Sequence, residues 1–266
     1  MESSLIEPTG PALFGLHGQV ALVTGAGGGL GQAIARVFAG QGADLVLSDR
    51  AGSELEALAA QCREWGVRAR TVFADLSDAR DAASLGLRAL EAFGRIDTLV
   101  CNAGIQGPAG PLLDVGRVDW DRVFQVNLAS VNALCASLVP GMASRRSACV
   151  ILMSSIAAVR GNRAIGLYGL TKAALSQMAR NLAVEWGPRG VRTNAIAPGL
   201  IRTPLAQALL DDEDFMSRRL AMTPLRRVGE PHEVAGMAAM LASPAGGFIN
   251  GQTLVVDGGT LVSDGG

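Results

Sequence analysis

The chain's one tyrosine, Tyr168, lies four residues before Lys172 at the start of a long helical pattern. Residues four apart share one face of a helix, so the lysine ammonium can lie beside the phenol. A nearby cation lowers the phenol pKa from its ordinary value of about 10, toward the range useful for general acid–base catalysis. The same spacing also suits an amphipathic helix with a solvent-facing lysine, and the pair alone does not decide between the two.

Two further polar residues favour the catalytic interpretation. Ser155 lies thirteen residues before Tyr168, at the end of the predicted fifth strand, whose apolar run at 150–153 is typical of a buried strand. Asn127 interrupts the otherwise apolar helical stretch 123–138. Polar side chains at such positions indicate a site rather than a packing surface.

A glycine-rich segment follows the first strand pattern and precedes a helical one. It reads Thr24-Gly25-Ala26-Gly27-Gly28-Gly29-Leu30-Gly31 and fits T-G-x-x-x-G-x-G rather than the strict G-x-G-x-x-G. Without Cβ atoms, backbone N–H groups can approach a pyrophosphate at the positive end of the helix. The pattern alone would also suit a flexible turn, but its position favours dinucleotide binding by Gly25, Gly28, Gly29, Leu30 and Gly31.

Acidic residues follow the second and third strand patterns. Asp49 can accept both ribose hydroxyls of NAD and would repel the 2′-phosphate of NADP, so we expect NAD, with NADP the less favoured cofactor. Arg50 could partly offset that repulsion or be a surface charge. Asp75, before Leu76, could accept a hydrogen bond from the adenine amino group, because Ser77 or Asp78 is the more natural N-cap for the next helix.

Short apolar runs alternate with helical periods along the chain. The predicted strands are 20–24, 44–48, 69–74, 98–101, 150–153, 192–196 and 253–256. Their continuous hydrophobicity indicates strands buried on both faces, hence a parallel sheet with helical crossovers. We predict an α/β, doubly wound (Rossmann-like) parallel seven-stranded sheet with helices on both faces. It would form a single domain over 16–266 after an N-terminal tail at 1–15.

Composition excludes several classes of protein. With 49% hydrophobic and 18% charged residues among 266, the chain is a folded, core-rich protein. A net charge of −1 gives no field for nucleic acid or anionic lipid, and no unbroken apolar run predicts a membrane span. No secretory signal is evident, so we expect a cytoplasmic protein. Its four cysteines are expected to be reduced core thiols, and with only two histidines we expect no metal site.

These motifs together resemble the short-chain dehydrogenase/reductase family, over nearly all of residues 16–262. The resemblance implies that Tyr168 exchanges a proton with the substrate oxygen and that Ser155 orients that oxygen. It also implies that Lys172 holds the nicotinamide ribose and lowers the tyrosine pKa, and that Asn127 holds a water that relays protons.

Other family positions carry over to the cofactor. Asn102, Ala103 and Gly104 would lie against its adenosine half, although Cys101 stands where the family often has asparagine. Pro198, Gly199 and Ile201 would face the nicotinamide. Thr203 would bind the carboxamide, or alternatively cap the helix that begins at Pro204.

By the same resemblance, a lid near 203–222 would close over the substrate. Its apolar face and acidic edge suit a mobile lid over an apolar, uncharged small molecule, or alternatively an ordinary amphipathic helix with a solvated acidic turn. Arg160 and Arg163 could bind an anion, but we expect exposed loop arginines. The last strand resembles one that packs between subunits, so we expect a homo-oligomer, a dimer or tetramer.

The function expected is hydride transfer between NAD(H) and a secondary alcohol or ketone. The alternative enzyme is an NADPH-dependent 3-oxoacyl carrier reductase, against which Asp49 argues. A noncatalytic dinucleotide-binding sensor is the third hypothesis, which the presence of all four catalytic residue types opposes.

Overall fold

A parallel sheet forms the centre of the molecule. The computed structural model describes residues 9–52, 54–145 and 148–263. The strands in these ranges are β1 (Val20–Thr24), β2 (Asp44–Asp49), β3 (Ala69–Phe73), β4 (Thr98–Cys101), β5 (Ala148–Met153), β6 (Val191–Pro198) and β7 (Thr253–Val256). All pair in parallel, in the order β3-β2-β1-β4-β5-β6-β7. The chain reverses direction across the sheet between β1 and β4, the place where doubly wound folds bind ligands.

All seven predicted strands are confirmed, with shifted ends. Ala148 pairs with Val191, which extends β5 and β6 toward their amino ends. Pro198 pairs with Val256 and extends β6 by two residues. The neighbouring strand, rather than local preference, therefore sets these ends.

Helices connect the strands and cover both faces. They are α1 (Pro11–Phe14), α2 (Gly29–Gly40), α3 (Leu55–Glu64), α4 (Ala79–Phe93), α5 (Arg117–Phe124), α6 (Ser130–Met142), α7 (Gly166–Trp186), α8 (Gln207–Leu210), α9 (Glu213–Ala221) and α10 (Pro231–Ala242). The first eight residues of the predicted tail lie outside the described residues. Its remainder includes the single helical turn α1.

Two hydrophobic clusters lie on opposite faces of the sheet. Val23 packs in the cluster with α2, α3 and α10, whereas its neighbour Leu22 packs in the cluster with α4, α6 and α7. Each fully buried side chain of this size contributes roughly 1.5–3 kcal/mol. The continuous apolar runs thus do correspond to strands buried on both sides, and all four cysteines are buried free thiols.

Helices α5 and α6 are joined without a break by a π-helical turn, Gln125–Ala129, that contains Asn127. The resulting helix, Arg117–Met142, is long and apolar enough to cross a membrane by length and composition alone. Half of its most apolar window is buried inside the protein, however. Leu134 and Leu138 lie in the cluster beside α4, as expected of a core helix.

Candidate active site

A cleft of about 420 Å³ opens at the carboxyl ends of the strands. Every predicted site residue except Asn127 lines it. The lining includes Gly25, Gly28, Gly29, Leu30, Gly31, Asp49, Arg50, Asp75, Leu76, Asn102, Ala103, Gly104, Ser155, Tyr168, Lys172, Pro198, Gly199, Ile201 and Thr203. Residues from the carboxyl ends of six strands, β1 to β6, and from α7 therefore converge on one cavity.

The glycine-rich loop is shaped for close backbone approach. Gly25 has a φ of +65°, which favours glycine, and a Cβ on Gly31 would lie 2.1 Å from the Gly25 carbonyl oxygen. Helix α2 begins at Gly29, and its N-cap residue, Gly28, has no side chain to cap the first N–H groups. Its first N–H groups, at the positive end of the helix, fit the pyrophosphate of a dinucleotide.

Asn102 and Thr24 brace this loop against the end of β4. The Asn102 Nδ2 donates to the carbonyls of Thr24 and Gly25 at 3.0 and 3.1 Å. The Thr24 Oγ1 accepts from the backbone N–H groups of Asn102 and Ala103. Asn102 thus shapes the phosphate loop, and Cys101 beside it is a buried strand residue.

The backbone orients both carboxylates at the β2 and β3 ends. Asp49 accepts hydrogen bonds from the N–H groups of Gly27 at 2.9 Å and Arg50 at 2.7 Å. Asp75 accepts from the hydroxyl and N–H of Ser77, and these bonds lower the pKa of its carboxyl. Asp78 caps α4, as the sequence predicts, so Asp75 is not used as a helix cap.

Tyr168 and Lys172 share one face of α7, as predicted. The Lys172 Nζ lies 5.4 Å from the centroid of the Tyr168 ring and donates to the Met153 carbonyl at 2.8 Å. The lysine side chain is buried, and burial lowers its pKa from 10.5 to about 8. It is therefore a buried cation beside the phenol rather than a solvated surface lysine.

Ser155 and Tyr168 line this cleft together, and the Ser155 Oγ accepts a hydrogen bond from the Ala157 N–H at 3.1 Å. Burial raises the pKa of Tyr168, and the nearby Ser155 hydroxyl, which lowers it, only partly offsets that effect. The predicted lowering of the tyrosine pKa is thus wrong for the protein alone. Desolvation of the phenolate outweighs the stabilising contacts that this chain provides.

Asn127 lies behind the cleft rather than in its wall. Its amide accepts from the Ile105 N–H at 2.8 Å and donates to the Ile105 carbonyl and to the Thr171 hydroxyl. Both amide N–H groups are therefore engaged in holding the β4 loop against α7. Its part in a water relay stays a prediction.

The chain after β6 closes the far side of the cleft. Gly199 passes so near Asp257 that a Cβ would lie 2.8 Å from its Cα, and Ile201 forms a bridge with Gly229. Thr203 precedes a 3₁₀ turn at Pro204, but its hydroxyl makes no capping bond and donates to the Ile201 carbonyl instead. The capping alternative for Thr203 is therefore not what the structure shows.

Two serines that the sequence analysis missed position the catalytic helix. The Ser154 hydroxyl, buried at the end of β5, donates to the Lys172 carbonyl at 2.8 Å and lies 2.9 Å from the Ser176 hydroxyl. Ser176 follows Lys172 by one helical turn, which is the signal that could have identified it.

The substrate side of the cleft is formed by the 3₁₀ turn Ile156–Ala158, α8 and α9. Leu205, Leu209 and Phe215 give it the apolar wall that the sequence predicts. Arg160, expected on an exposed loop, is partly buried and lines the cleft, because the turn after Ser155 folds its backbone onto the Ile156 carbonyl. Arg163 is exposed, as expected.

Known proteins match nearly the whole chain. A family model described as enoyl-(acyl carrier protein) reductase matches residues 25–260. The uncharacterized oxidoreductase MT0954 of Mycobacterium tuberculosis is 42% identical over 248 residues, which cover 93% of this chain and 94% of that protein.

Solved structures share the fold. A putative short-chain alcohol dehydrogenase from Sinorhizobium meliloti 1021 has a TM-score of 0.90 at 35% identity, covering 94% of this chain and 99% of that one. A gluconate 5-dehydrogenase from Burkholderia cenocepacia J2315, in complex with NADP and tartrate, has 0.90 at 33% identity, covering 95% and 99%. A 7α-hydroxysteroid dehydrogenase complexed with NADH and 7-oxo glycochenodeoxycholic acid has 0.89 at 32%, covering 94% and 97%.

The matches run from the phosphate loop to the end of the last strand and confirm the predicted fold class. The protein is an oxidoreductase, and it belongs to the short-chain dehydrogenase/reductase family.

Proposed function

We propose that the protein transfers a hydride between NAD(H) and a secondary alcohol or ketone, with Tyr168 as the general acid and base. The observation that carries this proposal is the arrangement of Ser155, Tyr168 and Lys172 around one cavity that also contains Asp49. A bound dinucleotide would supply or accept the hydride. The chain's own residues supply orientation and a proton.

Tyr168 suits proton donation to a carbonyl oxygen. Its raised pKa keeps the phenol protonated at neutral pH, and the Ser155 hydroxyl, which lines the cleft beside it, can bind the same substrate oxygen. Lys172 carries its positive charge below pH 8 and lies close enough to stabilise the phenolate that remains after proton transfer. In the oxidative direction the phenolate must form first, so alcohol oxidation is expected to become faster with rising pH.

Asp49 supports NAD as the preferred cofactor. Its carboxylate lines the cleft at the end of β2, where it can accept ribose hydroxyls and would repel a 2′-phosphate. Similar structures contain NADP in the gluconate 5-dehydrogenase and NADH in the hydroxysteroid dehydrogenase, so they support a nicotinamide dinucleotide without favouring either. The choice of NAD therefore rests on Asp49.

The proposal is tested with a panel of secondary alcohols and ketones, each assayed with NAD(H) and NADP(H) by the absorbance of the reduced nicotinamide. We expect turnover with NAD(H), and Tyr168→Phe should lower kcat by about 10²- to 10⁴-fold while NADH affinity is retained. Near-normal turnover of Tyr168→Phe would contradict the proposed mechanism. Preference for NADPH with 3-oxoacyl substrates would favour the carrier reductase, and no turnover with either cofactor would favour a sensor.

A further inference from the structure

Acidic side chains line only one end of the cleft, where Arg50 and Arg122 accompany them. The carboxylates that line it, Asp49 and Asp75, lie at the ends of β2 and β3. Ser155 follows β5, three strand positions from β2, which is about 14 Å at the usual strand spacing. Beyond Ser155, the charged side chains that line the cleft are Arg160 and Arg219, together with Lys172. Among the described residues, the substrate end is therefore lined by cations and by no acid.

Arg160 and Arg219 reach the cleft from different walls. Arg160 lies on the loop after Ser155, and Arg219 lies on α9 in the predicted lid, so an anion between them would contact both the fixed wall and the lid. Six other arginines in the described ranges form ion pairs with aspartate or glutamate, whereas neither of these two does. Both are nevertheless partly buried.

Arg219 is held in an unfavourable environment. Its Nη1 is buried and makes no hydrogen bond within the described residues. Its guanidinium lies 5.3 Å from the Phe215 ring centroid, one helical turn earlier, a contact that fixes the guanidinium without satisfying that N–H group. Burial and repulsion by Arg160 lower the pKa of Arg219. An anion between the arginines would accept a hydrogen bond from the Arg219 Nη1 and offset the repulsion between the two guanidinium groups.

We propose that Arg160 and Arg219 together bind a carboxylate at the far end of the substrate. The apolar side chains Leu205, Leu209 and Phe215 line the same end of the cleft and fit an apolar stem. Resting on the proposed function, this assigns the substrate class: a secondary alcohol or ketone with an apolar body and a terminal carboxylate. The proposal modifies the uncharged, apolar substrate expected from the sequence by adding a carboxylate at one end.

Binding without turnover tests the subsite. Fatty acids from butanoate to decanoate and the matching primary amides are titrated by calorimetry into the protein, alone and saturated with NADH. We expect the carboxylate to bind at least about tenfold more tightly than the amide at the best chain length, a typical effect of a charge-assisted hydrogen bond. Arg219→Gln and Arg160→Gln should each abolish this preference, and Arg219→Lys should retain part of it. Arg163→Gln removes an exposed arginine from the same loop and should leave the preference unchanged.

Three results would overturn the subsite: no saturable binding of any carboxylate, equal binding of acid and amide, or the same loss in Arg163→Gln as in Arg219→Gln. Because the titration needs no hydride transfer, it evaluates the subsite even if the oxidoreductase assay fails. Where turnover is found, Arg219→Gln should lower kcat/KM at least about tenfold for a hydroxy acid but not for its methyl ester. Equal effects on acid and ester would reject the subsite while the proposed function stands.

Discussion

The surroundings stabilise charged side chains at one end of the cleft and disfavour them at the other. At the nucleotide end, which we define by Asp49 and Asp75, backbone N–H groups donate to both carboxylates, and the hydroxyl and N–H of Ser77 lower the pKa of Asp75. At the catalytic end, defined by Tyr168, Lys172 and Arg219, burial dominates each pKa shift. There it raises the pKa of the phenol and lowers the pKa values of both cations, so every shift disfavours the charged form.

This contrast separates recognition from chemistry. Carboxylates already stabilised by the backbone need no reorganisation to accept hydroxyl or amino groups, which suits binding of an invariant nucleotide. Groups whose charged forms are disfavoured respond strongly to any charge placed beside them, which suits proton transfer and substrate selection. Substitutions at the two ends should therefore differ in kind: rate and pH dependence at the catalytic end, cofactor discrimination at the nucleotide end.

The adjacent serines Ser154 and Ser155 separate catalysis from packing at the catalytic end. Ser155→Ala removes the hydroxyl that lies beside Tyr168 in the cleft and should lower kcat by about 10²- to 10³-fold, as loss of a single transition-state donor does. Its free energy of unfolding should fall by about 0.5–2 kcal/mol, because the same hydroxyl accepts the Ala157 N–H at the start of the 3₁₀ turn Ile156–Ala158.

The matched control is Ser154→Ala, which removes the buried hydroxyl beneath Lys172 and touches no reacting atom. It should lower the free energy of unfolding by about 1–3 kcal/mol, measured by urea titration, with a far smaller loss of kcat. Similar kinetic losses in both variants would show that packing of α7, rather than the Ser155 hydroxyl, limits the rate.

Much of the catalytic end could be predicted because its residues stand at strand ends or at helical spacing. Ser155 follows β5, and Tyr168 and Lys172 are one turn apart on α7. The strands were predictable because burial on both faces leaves continuous apolar runs in the sequence. Where strand ends were missed, as at Pro198, pairing with a neighbour decided the boundary.

The environments of these residues were not predictable. Whether Tyr168 has a raised or lowered pKa depends on its burial, which residues distant in sequence create. Arg160 looked like an exposed loop residue, because nothing local shows that the 3₁₀ turn folds it toward the cleft. Arg219 was missed, although its spacing of four residues from Phe215 places both on one face of α9.

The pH dependence of stability measures how much the burial of the Lys172 ammonium destabilises the folded protein. Below a pH of about 8, both the folded and unfolded chains hold this proton; between about 8 and 10.5 only the unfolded chain does. The free energy of unfolding should therefore rise with pH across this window, by up to about 3 kcal/mol, through this group. Lys172→Met should lack that rise.

Lys172 is the chain's one lysine, so isotope-labelled lysine gives a single side-chain NMR signal whose titration reports its pKa directly. The difference in unfolding free energy between wild type and Lys172→Met, from urea titrations at several pH values, isolates this contribution from the cysteines. A midpoint near 10.5, or a difference independent of pH, would remove the electrostatic contrast between the two ends.

Asp49→Asn probes the nucleotide end and should have the smallest effect. The amide keeps the size of the side chain and one acceptor oxygen but loses the charge that faces a 2′-phosphate. The repulsion between the doubly charged 2′-phosphate and one carboxylate about 5 Å away in water is about 1–2 kcal/mol. Its removal should raise the affinity for NADPH relative to NADH roughly tenfold.

Asp75→Asn is the matched control. Adenine is common to both cofactors, so loss of the Asp75 carboxylate should weaken the binding of both equally. An unchanged ratio of Kd values in Asp49→Asn, measured by fluorescence titration, would mean that Asp49 only orders the glycine loop through Gly27. The nucleotide end would then bind without discriminating, and the preference for NAD would lose its basis.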